Sequence, residues 1–265
     1  MTGPDFDIPV FVINLDGSDD RLNTISQDLN GQNVAFTRIA AYDGRGVPPG
    51  DIPEYNAART RRYFGRDMTG GEIGCYISHV RAAQAFLNSG APYGLVLEDD
   101  VRPAPDAMEC LRALVAWQSA RGSVDWAVSQ LGNHGVKLTT PVDQIDTGHV
   151  ARAVLRAHYF PMGAMALLWT RDGAQGFVDT AFPIVCPVDL HLRRWLLRGD
   201  RGLAIQPHVF FHVGEVSDID QSPVSGKRAD RAKTLLYGWR KARRSHGTRL
   251  RAVFNRFLYQ RGAGR

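Results

Sequence analysis

Long apolar runs are missing from this chain of 265 residues. Nowhere do roughly 18 to 20 apolar residues follow one another, so no segment reads as a helix crossing a bilayer. The N-terminal MTGPDFDIPVFVINL has no basic stretch ahead of its apolar one, and no signal peptide is expected. Cysteine is scarce: Cys75, Cys110 and Cys186 are odd in number, widely spaced and form no CxxC pair. Reduced thiols in a cytoplasmic protein are the expectation. Neither a GxGxxG nor a Walker pattern occurs, and there is no internal repeat or low-complexity tract.

What is present is an ordinary globular composition, 44% hydrophobic and 22% charged, enough apolar material for a substantial core. The net charge of +5 conceals an asymmetry. Residues 227–265 carry 13 Lys or Arg against the single acid Asp230, whereas the residues before them carry 19 bases and 26 acids. The switch falls at SPVSG, residues 222–226, and divides the chain into a main domain, 1–225, and a basic helical tail, 226–265. In the tail, Leu250, Val253, Phe254, Phe257 and Leu258 recur at helical spacing with arginines between them. Two uses fit such a helix: an anionic membrane surface, or docking on its own domain or a second subunit. Nucleic acid is not expected, because the charge sits at one end and no recognised motif accompanies it.

Residues 8–15, IPVFVINL, read as a buried strand. A helix follows, with Ser18 or Asp19 as its cap and Leu22, Ile25 and Leu29 on one face. Strands are expected at 35–42, 94–101 and 124–132, and helices at 73–87 and 108–117. Such alternation predicts an α/β fold with a mostly parallel sheet covered by helices on both faces.

The chemically loaded segment is YGLVLEDDV, residues 93–101. Leu95, Val96 and Leu97 mark a central strand, and Glu98, Asp99 and Asp100 emerge at its carboxyl end, where open α/β sheets bind ligands. Three adjacent carboxylates repel one another, and a divalent cation relieves the repulsion. On a continuing extended backbone Glu98 and Asp100 face one side and Asp99 the other. Hard oxygen ligands suit Mg²⁺ or Mn²⁺ bridging nucleotide phosphates; the competing reading is acids at the start of the next helix.

INLDGSDDR at 13–21, GEIGCYISHVRA at 71–82 and LVLEDDV at 95–101 resemble, in this order, the bacterial glycosyltransferase family 25. VDLHL at 188–192 and SDI at 217–219 extend the likeness over roughly residues 8–220. The resemblance implies a GT-A (Rossmann-like) fold, a UDP-sugar donor, usually UDP-galactose, and transfer with inversion to a glycan or glycolipid acceptor of a cell-surface lipooligosaccharide or polysaccharide. It also implies a Mn²⁺ or Mg²⁺ ion at the acidic motif, with Asp100 as its best ligand, Glu98 toward the ribose or the metal and its waters, and Asp99 beside the donor. Departures are Gly17, where relatives often carry Arg, and Leu167 and Thr170 in place of a Tyr and a Ser.

Asn14, Asp16 and Arg21 stand at the end of the first strand, where base and diphosphate are expected, with a solvated helix start as the alternative. Glu72, among Gly70, Gly71 and Gly74, enters the second helix; Ser78 and His79 follow as donor contacts, against a structural histidine. Asp189 is the expected general base, against a capping role at the helix it opens. His208 or His212 would complete the metal sphere, in the manner of other GT-A enzymes, against a buried structural role for each, and His212 is assigned to it. Ser217 and Asp218 are expected to line the donor pocket, against a turn with Asx hydrogen bonds. Two other functions compete with transfer: a glycoside hydrolase, whose acids normally come from separate elements, and a non-catalytic nucleotide-sugar or glycan-binding module on the same scaffold.

Overall fold

The computed structural model describes residues 8–121, 125–132, 135–213 and 237–262. An eight-stranded sheet runs in the order β2-β1-β3-β8-β5-β9-β7-β6. Its first three neighbours are β2 (Thr37–Ala40), β1 (Val10–Asn14) and β3 (Tyr93–Glu98), all parallel. β8 (Ala166–Thr170) runs against both β3 and β5 (Val128–Gln130), β5 pairs in parallel with β9 (Gly202–Gln206), and β7 (Ala151–Tyr159) runs against both β9 and β6 (Lys137–Asp146). Only β7 and β8 therefore oppose the common direction. The expected α/β sheet is present, with two reversed strands inside it.

Both faces are covered, for the reason visible in β1. Its five residues VFVIN are all buried, and alternate side chains enter different cores. Phe11 and Ile13 join a cluster with α3 (Gly70–Ser89), α5 (Arg171–Thr180) and α6 (Val188–Gly199). Val10 and Val12 join one with α1 (Asp19–Asn30) and α4 (Ala107–Arg121). Burying such large apolar surfaces is the main favourable term in folding.

A few boundaries shift from expectation. The strand at 124–132 is confined to Val128–Gln130 and the one at 35–42 to Thr37–Ala40. The EDD segment also departs: β3 stops at Glu98, Asp99 and Asp100 form a turn, and a short β4 (Val101–Pro103) then pairs with β10 (Phe210–His212) in a separate ribbon. α2 (Ala57–Tyr63) and the β6–β7 hairpin were not anticipated.

The basic tail forms α7 (Tyr237–Gln260). It lies on α6 and the β6–β7 hairpin through small and polar groups. Ala252 and Asn255 are buried, and Asn255 Nδ2 donates to the Leu197 carbonyl at 2.9 Å. The Tyr259 ring packs on His158 and under the Arg156 guanidinium. The apolar stripe points elsewhere: Leu250 is 71% exposed, and Val253, Phe254 and Phe257 lie in water beside it. No described helix is long and apolar enough to cross a membrane.

Candidate active site

Parallel pairing brings the carboxyl ends of three strands level, with Ile13 opposite both Ile39 and Glu98. The segments leaving those ends enclose a pocket lined by Glu98, Asp99, Asp100, Arg21, Ser78 and His79, together with Tyr42, Asp43, Gly44, Arg45 and Cys75. This is the edge at which such sheets bind ligands.

Because the chain turns after Glu98, all three acids face this pocket, and Asp99 does not point away as a continuing strand would require. Each carboxylate has a different partner. Glu98 Oε1 lies 3.0 Å from His79 Nε2. Asp99 Oδ2 accepts from Asn14 Nδ2 at 2.7 Å, and Asp99 lies 3.6 Å from Arg21. Asp100 Oδ2 lies 3.2 Å from His212 Nε2. The β4–β10 ribbon delivers that histidine: His212 stands opposite Val101, and the Val213 amide donates to the Asp100 carbonyl. Burial, then the neighbouring Glu98 charge, push the Asp100 carboxyl up to about 6 from its usual 3.8. Its Oδ1 is buried and has no hydrogen-bond partner among the described residues. An orphaned hard oxygen between two further acids and an imidazole suits a divalent cation such as Mn²⁺ or Mg²⁺.

The helix beneath the pocket explains the other residues. α3 opens with a capping box in which Thr69 Oγ1 accepts from the Glu72 amide and Glu72 accepts from the Thr69 amide. Glu72 also forms a buried two-pronged pair with Arg66, which commits it to the helix start and keeps it outside the carboxylate pocket. The glycines there serve close packing: a Cβ on Gly70 would meet the Gly44 carbonyl oxygen at 1.8 Å. Ser78 Oγ donates to the Gly74 carbonyl and accepts from the Tyr42 amide, tying the loop after β2 to α3.

Asn14 is buried behind the pocket, where it bridges Asp99 and Arg38. Asp16 is exposed and paired with Arg38. His208 lies against the Phe211 ring and does not line the pocket, and neither it nor His212 is buried. Asp189 sits in the first turn of α6 and lines a neighbouring cavity with Glu72, Arg193, Lys241 and Arg244. The Cys75 thiol lines the carboxylate pocket and also feels the Asp189 charge. Burial, then the charges of Glu98, Asp189 and Asp100, push it well above its usual range. Ser217 and Asp218 lie outside the described residues.

Tyr42, Asp43, Arg45 and Cys75 were missed. Position was their signal: three follow β2 at the same sheet edge, and Cys75 is one helical turn before His79. One ligand atom from each of Cys75, His79 and Glu98 lies within 4.8 Å of the others.

The profile described as "Glycosyltransferase family 25 (LPS biosynthesis protein)" matches residues 7–192, which include every residue named as lining this pocket but not His212 on β10. The chain belongs to glycosyltransferase family 25. Among family 25 relatives, procollagen galactosyltransferase 1 of Danio rerio is 23% identical over 88% of this chain and 41% of its own length. Procollagen galactosyltransferase 2 of Homo sapiens is 26% identical over 68% of this chain and 29% of its own. The chain thus spans less than half the length of these curated relatives. A solved glycosyltransferase involved in the glycosylation of the major capsid of PBCV-1 aligns over 79% of this chain and 94% of that chain, at 10% identity and a TM-score of 0.32, too low to add to the fold described above.

The family 25 departures have local causes. Gly17 adopts φ +85°, a left-handed conformation that disfavours Arg. Thr170 caps α5, accepting from the Gly173 amide, and Leu167 is buried in β8.

Proposed function

We propose that this family 25 chain transfers a sugar, galactose in the first instance, from a UDP-sugar to a glycan acceptor of a cell-surface lipooligosaccharide or polysaccharide, with inversion and with a divalent cation bound. The observation that carries the reading is the convergence of Glu98, Asp99, Asp100 and Arg21 in one pocket at the sheet edge, with His212 against Asp100.

Asp100, Glu98 and His212 would hold the ion, which would neutralise the donor diphosphate and the charge growing on it as it leaves. Arg21, steadied by Asp99, offers a guanidinium to the phosphates. Tyr42 and Arg45 wall the side of the pocket toward β2, where a base can lie. Asp189, across Cys75 from the carboxylates, would take the proton from the attacking acceptor hydroxyl. Attack opposite the leaving diphosphate inverts the anomeric centre.

The exposed stripe on α7 and the arginines around it support a further assignment, to an anionic leaflet at the cytoplasmic face of a membrane.

The direct test is a screen of UDP-sugars for binding and for slow UDP release, with Mn²⁺ and with chelator. Mn²⁺-dependent UDP release, greatest with UDP-galactose, is expected. UDP-sugar binding without turnover on any acceptor would leave a binding module, and no binding would remove the reading altogether.

A further inference from the structure

We infer that the acceptor is an anionic glycan, bearing phosphate or carboxylate groups, and that α7 supplies part of its binding site. The inference rests on the transferase reading only for the word acceptor; the binding of an anionic sugar is a separate property of the cavity.

The cavity beside Asp189 lies between the start of α3, the start of α6 and the first half of α7, and Arg193, Lys241 and Arg244 line it. A second hollow shares Arg193 and Tyr159 with it and adds Lys137 and Arg249. Among the described residues the acids lining the two hollows are Glu72 and Asp189. Glu72 is taken up by the buried Arg66 pair.

Two of the cations, Arg193 and Arg244, are held in place by uncharged groups. Arg193 Nε donates to the Phe160 carbonyl at 2.5 Å and its guanidinium lies 4.0 Å over the Tyr159 ring. Arg244 donates to the carbonyls of Tyr63 and Phe64 and lies over both their rings. Carbonyls and ring faces fix a guanidinium, yet leave its full charge in the cavity. Among the described residues no carboxylate forms a salt bridge with Arg193, Lys241, Arg244, Arg249 or Lys137.

A neutral sugar seated here would strip water from these cations and return no counter-charge. A phosphate or carboxylate supplies that counter-charge, and Arg recognises either with two parallel hydrogen bonds. The field would also gather such acceptors and hold them beside the proposed base.

The test uses the full chain with UDP saturating the donor pocket, so that an added anion cannot bind there. Glucose 6-phosphate, glucuronate and glucose are titrated by calorimetry against wild type, Lys241→Gln and Arg249→Gln. Neither replaced side chain is in the carboxylate pocket, and both are exposed. The two anions are expected to bind at least about tenfold more tightly than glucose, with each substitution removing several-fold of that difference and salt erasing it. Equal binding of glucose, or variants indistinguishable from wild type, overturns the inference. A parallel arm measures binding to vesicles containing phosphatidylserine. If the two substitutions weaken vesicle binding and leave soluble anions untouched, the cations serve lipid headgroups and the inference also fails. Loss of the anion preference in both variants, with UDP binding unchanged, supports it even where no transfer is detected.

Discussion

On the proposed reading Asp100 and Asp189 have different tasks, and single substitutions would separate them. Asp100→Ala should abolish metal-dependent turnover, by roughly 10²-fold or more, with the circular dichroism spectrum unchanged. Asp189→Asn should keep donor affinity and lose about 10² to 10⁴ in transfer rate, the usual worth of a general base. Near-normal rates in both variants would reverse these assignments. The raised Asp100 carboxyl makes a second prediction. In chelator its folded value, about 6, exceeds its usual 3.8, so the folded chain holds a proton that the unfolded chain has released between those values. Its effect is absent below about 4 and becomes fully unfavourable above about 6. Asp100→Asn should therefore stabilise the metal-free chain at pH 7.5, by on the order of 2 kcal/mol, and leave it unchanged at pH 4. Urea titrations at the two pH values provide the check. The place of the acids was legible in the sequence, since the apolar run before them marks a strand and puts EDD at its carboxyl end. Their orientation was not: alternation presumes an extended backbone, and the turn after Glu98 breaks it.

The elements most legible from the chain were those with one chemical character per face. β1 and β3 are apolar on both sides, and α3 carries its own cap in Thr69 and Glu72. The β6–β7 hairpin was hidden because its interior is charged. Arg152, Arg156 and His158 are all buried on β7, where a strand reading looks for apolar residues. Each has a distant partner: Arg152 forms a two-pronged pair with Asp106 at the start of α4, Arg156 donates to the Asp200 carbonyl, and His158 Nδ1 lies 2.8 Å from the Asp200 carboxylate. Partners 46 and 42 residues away cannot be read from local pattern. Such a pair is costly to break from one side. Asp106→Asn should destabilise the chain by roughly 3 to 5 kcal/mol, because the Arg152 charge stays buried without compensation. The Arg152 guanidinium beside it holds the Asp106 carboxyl down to about 2, so its contribution is present above about 3.8 and fades as pH falls toward 2. Denaturant midpoints at pH 7 and pH 3, for wild type and variant, measure both statements.

For the molecule as a whole, the family 25 profile ends at residue 192, yet the proposed site continues beyond it, through His212 and α7. The sequence revealed an amphipathic basic helix but could not say which side of it meets the domain. The sides divide the two uses considered: small and polar groups dock, and Leu250, Val253, Phe254 and Phe257 remain outside. Replacing Leu250, Phe254 and Phe257 together with Ser should lower co-sedimentation with phosphatidylserine vesicles about tenfold or more, since each loses apolar area that would enter lipid. The melting temperature should scarcely move, because none of the three belongs to either core. Unchanged co-sedimentation would dismiss the membrane assignment and leave the stripe without a role.

The near-touch of Gly44 and Gly70 makes the carboxylate pocket dependent on two missing side chains. One methyl group at either position acts as a wedge, prising the Tyr42–Arg45 wall off its helix while every acid keeps its place. Chains that retain the full acidic signature but carry Ala there would look competent on paper and hold no donor.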